Sequence, residues 1–576
     1  MRVRVTSLFS LAGIILLSIA AGVFALRVRA QVTAQGDVHT TVFLHGRIYT
    51  NDPENPWAEG MAIRSGKIRC VGKIAYVLLE CGGNDPSAET IQLNEKFVMP
   101  GFNDAHVHLG GAGADMLSVR LNGVTTIEEL QKRVADAVAH HKEGEWITGS
   151  GWDHTLWPDK KFPNKQELDA VAPKNPVFLV HISGHVGVAN SLALEHAEIK
   201  NNTPNPSGGI IERDANGEAT GMLEEESAMT LVSGRVPDLR ADQRRRGIEL
   251  VLADAAKNGV TSAQDFSEWS DFLVYQQLKE EGKLTLRITE WLPFTASLDQ
   301  LQTWRAQGGT SDPWLRTGSL KGFMDGALGS RTAALLAPYS DDSTTSGLLT
   351  ADPGKFRALA IERDRAGFQI NFHAIGDRAN RAALDIFEAV VKANGQRDRR
   401  DRIEHAQVLA PEDIPRFAQL KVIASMQPSH ETTDMRWAGQ RLGPDRSKGA
   451  YAWNSLLKSG ARLAFGTDYD VEPISPFRGL YACVTRELPQ GGPVGGWQPQ
   501  EKISLQDCIR AYTSGSAYAE FSEGKKGELK AGELADFIIL SDDLTRIPPQ
   551  QFTKLTVLRT VVGGRTVYSE DSDARP

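Results

Sequence analysis

The sequence predicts an α/β chain. Its centre is a (β/α)8 TIM-type barrel, with a small β-sandwich-like domain built from both termini and a large insertion after barrel strand 1. Three observations predict this. Eight short β-rich runs (98–106, 260–266, 286–292, 319–325, 368–374, 402–406, 422–427 and 463–468) alternate with helix-like stretches such as 353–367 and 378–395. Both ends of the chain are rich in short strands and turns, and the middle is not. The gap from 110 to 255 is too long for a connection between a strand and its helix.

The elements follow in chain order. Arg2 and Arg4 precede an apolar run from Leu8 to Leu26, then Val28-Arg29-Ala30. Residues 1–30 thus read as a cleavable export signal, with an uncleaved membrane anchor as the alternative. Either places the body outside the cytoplasm, periplasmic or secreted. Residues 40–98 hold alternating runs broken at Asn51-Asp52-Pro53 and Ser65-Gly66, and 527–569 hold a run turned at Gly563-Gly564. These two stretches form the composite β domain. Residues 99–526 form the barrel, with 110–255 a subdomain inserted over its mouth and carrying strands of its own in EWITGSGW and PVFLVHIS.

Composition excludes other classes. Of 576 residues, 41% are hydrophobic and 24% charged, as in ordinary globular proteins. The net charge of −8 gives no reason to expect nucleic acid. Four cysteines without a CxxC pair argue against a thiolate metal site and a disulfide-built scaffold. Cys70 and Cys81 read either as a bridge or as two buried thiols.

The chemistry gathers at strand ends, where barrel active sites lie. His106 and His108 stand two apart on an extended segment, so both imidazoles point the same way. His373 ends the fifth strand, His405 the sixth and Asp468 the eighth, while Lys321 lies in the fourth. Four imidazoles and a carboxylate at one mouth suit a borderline divalent ion such as zinc.

The stretches MPGFNDAHVH, GWDHTLWP, GHVGVANSLAL, GEATGMLEEES, LKGFMDGALGSRTA, NFHAIGD, RIEHAQ, MQPSH, FGTDYDVEPISP and GELKAGELADFIIL resemble the amidohydrolase superfamily, in the YtcJ-like branch that includes N-substituted formamide deformylases. The resemblance spans about residues 40–569. It implies two divalent ions, with His106, His108 and Asp468 on the first and His373 and His405 on the second. Lys321 would be a carbamylated bridging ligand; an ordinary lysine that binds substrate or pairs with Asp325 is the alternative. Metal-bound hydroxide would attack an amide, N-formyl or N-acyl amine carbonyl, with Asp468 moving the proton from water to the leaving nitrogen. The resemblance also points to His185 as a catalytic contact and Glu225 as a substrate contact, with a cap or packing histidine and a solvated acidic helix start as the alternatives, and to a homodimer. Trp152, Arg331 and Gln427 are further substrate-binding candidates, with His430 beside them. Asp153 and His154 line the pocket or simply pack; His181, with no partner pattern, reads as a structural or surface residue. The partner is a small molecule, and a membrane matters only if the N-terminal segment stays. Lactone or ester opening and mononuclear deamination are alternative uses of the same site, and a non-catalytic binding module is the alternative of another class.

Overall fold

The computed structural model describes residues 39–573 apart from Ser207 and Ala351, so the signal or anchor at 1–30 lies outside the described residues. The eight barrel strands are β1 (Phe102–Val107), β2 (Val260–Asp265), β3 (Arg287–Pro293), β4 (Leu315–Phe323), β5 (Ile370–Ala374), β6 (Arg402–His405), β7 (Ile423–Met426) and β8 (Arg462–Phe465). They lie in chain order in one parallel sheet. Four of the eight are buried at every position and the others at most positions, as expected for parallel strands covered by helices outside and side chains within. The sheet closes where Val107 bridges Tyr469 and the Asp468 N–H donates to the His106 carbonyl at 2.8 Å. That closure brings the β1 and β8 ends together.

Both ends of the chain share a second sheet of eight strands. Strand Phe97–Pro100 pairs in parallel with Thr40–Tyr49 on one side and antiparallel with Phe537–Leu540 on the other. Gly563 and Gly564, both with positive φ, form the two-residue turn between Val557–Val562 and Arg565–Ser569.

The inserted segment forms a third sheet of six strands, between Val119 and Glu224. Leu121, Leu130, Trp152, Trp157 and Leu179 belong to its own core. Two helices flank it in sequence, Leu109–Leu117 and Ala241–Lys257. They cross where Gly113 meets Gly247; a Cβ on Gly247 would stand 2.6 Å from the Gly113 carbonyl oxygen. Two disulfides are present, Cys70–Cys81 and Cys483–Cys508. The first closes the pair that the sequence left open; the second joins cysteines that spacing did not pair.

Candidate metal centre

His106 is the penultimate residue of β1 and is buried, and His108 follows it as the chain turns into the helix Leu109–Leu117. Asp104 fixes this strand end. Its carboxylate accepts the Thr467 N–H at 2.9 Å, the Thr467 hydroxyl at 2.6 Å and the His106 N–H at 3.2 Å, clamping β1 to the segment that carries Asp468. His373 and His405 come from β5 and β6, and their rings meet at 4.5 Å between centroids. His405 and Asp468 both hold positive φ, at 73° and 58°. Such strain in residues with a Cβ persists where the surroundings fix it, commonly at functional sites.

Each of these four histidines has one ring nitrogen beside an acceptor. His106 Nδ1 faces Glu404 Oε2 at 3.1 Å, and His108 Nδ1 faces the Phe266 carbonyl at 2.9 Å. His405 Nδ1 faces Gln427 Oε1 at 2.8 Å, and His373 Nε2 faces the Gly326 carbonyl at 3.1 Å. Only a protonated nitrogen can serve those acceptors, so the other nitrogen of each neutral ring carries a lone pair. Burial holds His106 at about 4 and His373 at about 3, well below the usual histidine range, and pushes His405 lower as well. The neutral form is the one that binds metal.

The free nitrogens of β1 meet a carboxylate. Asp468 Oδ1 is buried without a hydrogen-bond partner, 3.2 Å from His108 Nε2 and 3.6 Å from His106 Nε2. Its other oxygen lies 3.7 Å from His430 Nε2, itself unpartnered. Neutral imidazoles and a carboxylate facing one another in a buried space repel unless a cation or a proton lies among them; burial works against charging His108, but the Asp468 carboxylate beside it pushes its pKa up on balance. The donor set therefore fits a divalent ion. His106, His108 and Asp468 can share one ion, and so can His405, His430 and Asp468. Lys321 Nζ stands 3.0 Å from His106 Nε2, and burial pushes its amine down to about 8.

Two groups outside the sequence-derived ligand set sit behind this cluster. Glu404 is fully buried; burial would raise its carboxyl, but Arg402 holds it at about 2. Arg402 Nε lies 2.8 Å from Glu404 Oε1, and the guanidinium also bonds Gln264, Ser425 and the Ala105 carbonyl. Glu404 belongs to the RIEH stretch, but nothing in its spacing shows that it reaches β1. Asp325 is the other: it does not pair with Lys321 but accepts three backbone N–H groups, from Ala334, Ile375 and Gly376, which ties the loop after β4 to the end of β5.

Of the remaining candidates, Gln427 also sits at the cluster and the others lie elsewhere. Gln427 is buried on His405. Trp152 is buried in the inserted sheet, its indole N–H donating to the Leu179 carbonyl at 3.1 Å. His185 and Glu225 are exposed and paired with each other at 3.0 Å. Arg331 makes a two-pronged contact with Asp341, at 3.1 and 3.0 Å. A cavity of about 970 Å³ opens beside His108, walled by Phe266, Trp269, Trp291 and Trp304 and reaching Thr148 of the inserted sheet. It is large enough for a small organic substrate.

Residues 89–568 match the model of the amidohydrolase family. The chain is 38% identical to "Protein LONG AFTER FAR-RED 3" of Arabidopsis thaliana, over 92% of each chain. It is 33% identical to "Putative amidohydrolase YtcJ" of Bacillus subtilis (strain 168), over 91% of this chain and 98% of that one. To the N-substituted formamide deformylase of Arthrobacter pascens it is 28% identical, over 92% and 98%. Among solved structures, an uncharacterized metal-dependent hydrolase from Pyrococcus furiosus superposes with a TM-score of 0.73 at 30% identity, covering 89% of this chain and all of that one. With a parallel eight-stranded barrel and a metal-fitting donor set at its mouth, the chain belongs to the amidohydrolase family, as a metal-dependent hydrolase of carbon–nitrogen bonds.

Proposed function

We propose that this protein is an exported hydrolase of N-formyl or N-acyl amines with an apolar N-substituent. The observation that carries the chemistry is the unpartnered Asp468 Oδ1 among imidazole lone pairs. A divalent ion bound there would acidify water and polarise a carbonyl. Asp468 would take the proton of the attacking water and deliver it to the leaving nitrogen, because its oxygen has no competing donor. Phe266, Trp269, Trp291 and Trp304 would hold the N-substituent and exclude water from it. Lys321, close to His106, would bridge two ions as a carbamate, an anion where an ammonium could only repel them. The acyl-amine class is supported by the deformylase-like stretches and by the aromatic wall; export is supported by the segment from Arg2 to Ala30.

The test is metal content per chain for the wild type and Lys321→Ala, followed by a screen of N-formyl amines, N-acyl amines, lactones and esters. About two equivalents that fall on substitution, with turnover confined to the amines, is the expected result. One equivalent unchanged by the substitution would remove the carbamate bridge. Turnover of lactones alone would remove the acyl-amine reading.

A further inference from the structure

A second set of ligating side chains lies in the inserted sheet and shares no residue with the barrel cluster. Strands Ile147–Trp152 and Val177–His181 run parallel and end together, with Trp152 opposite His181. Asp153 follows and caps the short turn His154–Leu156: its Oδ1 accepts the Thr155 N–H at 2.9 Å and the Thr155 hydroxyl at 2.6 Å. The turn carries His154 back beside His181, with ring centroids 5.5 Å apart. Phe162 covers His154 at 4.1 Å, and the Trp152 indole meets His181 edge-on at 4.6 Å.

Asp153, His154 and His181 thereby hold one ligand atom each, all within 4.8 Å of one another. His154 Nδ1 and His181 Nε2 are both shielded from water and both lack a hydrogen-bond partner. Leaving one such nitrogen unsatisfied is unfavourable, so two in one cluster point to a missing third party. Asp153 Oδ1 lies 3.9 Å from His181 Nε2. That is too long for a hydrogen bond and slightly wider than the roughly 3.3 Å between neighbouring ligands on a tetrahedral zinc. The other His181 nitrogen is backed by Ser183, whose Oγ lies 2.8 Å away and accepts the His185 N–H at 3.3 Å. Donation from Nδ1 to that hydroxyl would free Nε2 for a metal, the usual support of a ligating histidine. The Ser183 N–H also approaches Nδ1 at 3.1 Å and favours the opposite tautomer, with the proton on Nε2 facing Asp153. An ion and a proton therefore compete for this site.

We propose that Asp153, His154 and His181 bind a divalent cation of the zinc type, completed by water, which fastens the segment 153–162 to the inserted sheet. None of the three lines the cavity at the barrel mouth, and the proposal does not depend on which bond the barrel cleaves.

The full-length protein would be stripped with chelator, titrated with zinc alone and analysed for metal per chain, beside His154→Gln/His181→Gln and Asp153→Asn. Asparagine keeps the oxygen that caps the turn. The expected result is one equivalent fewer in the double variant, at least tenfold weaker binding of that equivalent in Asp153→Asn, and zinc-dependent protection of 153–162 from protease in the wild type only. Equal stoichiometry and affinity in all three proteins would overturn the proposal and leave a proton shared among three polar side chains. If the double variant does not fold, Asp153→Asn and His181→Gln decide, and unchanged titrations in both would equally overturn it.

Discussion

Glu404 Oε2 stands 3.1 Å from Nδ1 of His106, across the barrel interior, and Arg402 holds that carboxyl in its charged form. The pair fixes which His106 nitrogen carries the proton and so which one faces Asp468. Glu404→Gln keeps the shape but removes the charge, and its amide can turn a donor toward the ring. Metal affinity should fall roughly 10–100-fold, as for other groups that orient a metal-binding histidine. Zinc titration monitored by calorimetry checks this. A variant less stable but with unchanged affinity would make Glu404 a partner of Arg402 only.

Asp468→Asn separates metal binding from proton transfer. The amide oxygen can still coordinate, but it cannot take a proton. Turnover should drop about 10²- to 10⁴-fold while the folded protein retains metal. Turnover on an activated substrate whose leaving group needs no proton should fall less. Equal losses on both substrates would assign Asp468 to coordination alone.

Removing metal should abolish turnover and also lower stability, because the imidazole lone pairs and Asp468 are then left facing one another. Metal at 100 times its dissociation constant should restore about 2.7 kcal/mol. Denaturant midpoints with chelator and after adding back zinc, manganese or iron measure this, and the ranking of turnover names the preferred ion.

Asp401 predicts a pH dependence remote from the site. Burial pushes its carboxyl up to about 7 from an ordinary 3.8, while its Oδ1 accepts the Ile370 N–H at 3.0 Å. The folded state binds this proton more tightly than the unfolded chain does. The contribution is therefore fully present below about pH 4 and lost as pH rises toward 7, by at most about 4 kcal/mol. Asp401→Asn keeps the acceptor and has no proton to lose. The stability of the wild type relative to this variant should fall between pH 4.5 and 8, as read from urea midpoints.

What the sequence disclosed and what it concealed have a common physical basis. Strand ends were legible because the strands are short runs set between helix-like stretches, and because His106 and His108 obey the two-residue period of extended chain. The meeting of β1 with the segment just after β8, which carries Asp468 to His106, is a property of closure that local spacing does not encode. Glu404 was hidden for the same reason, since its side chain crosses the barrel to a strand about 300 positions earlier. His430 drew only a weak signal because its helix starts after Gln427 and its approach to Asp468 depends on the turn at Pro428. In the insertion, a turn of three residues sets His154 beside His181, and no periodicity announces such a turn.

Strand Phe97–Pro100 lies between a neighbour from the beginning of the chain and one from its last forty residues. During synthesis the barrel can therefore be finished while one edge of this strand still waits for Phe537–Leu540. A polypeptide released early, short of Phe537, would display that open apolar edge, a ready template for aggregation or a mark for proteases. The shared sheet thus makes the burial of that edge conditional on synthesis through Leu540.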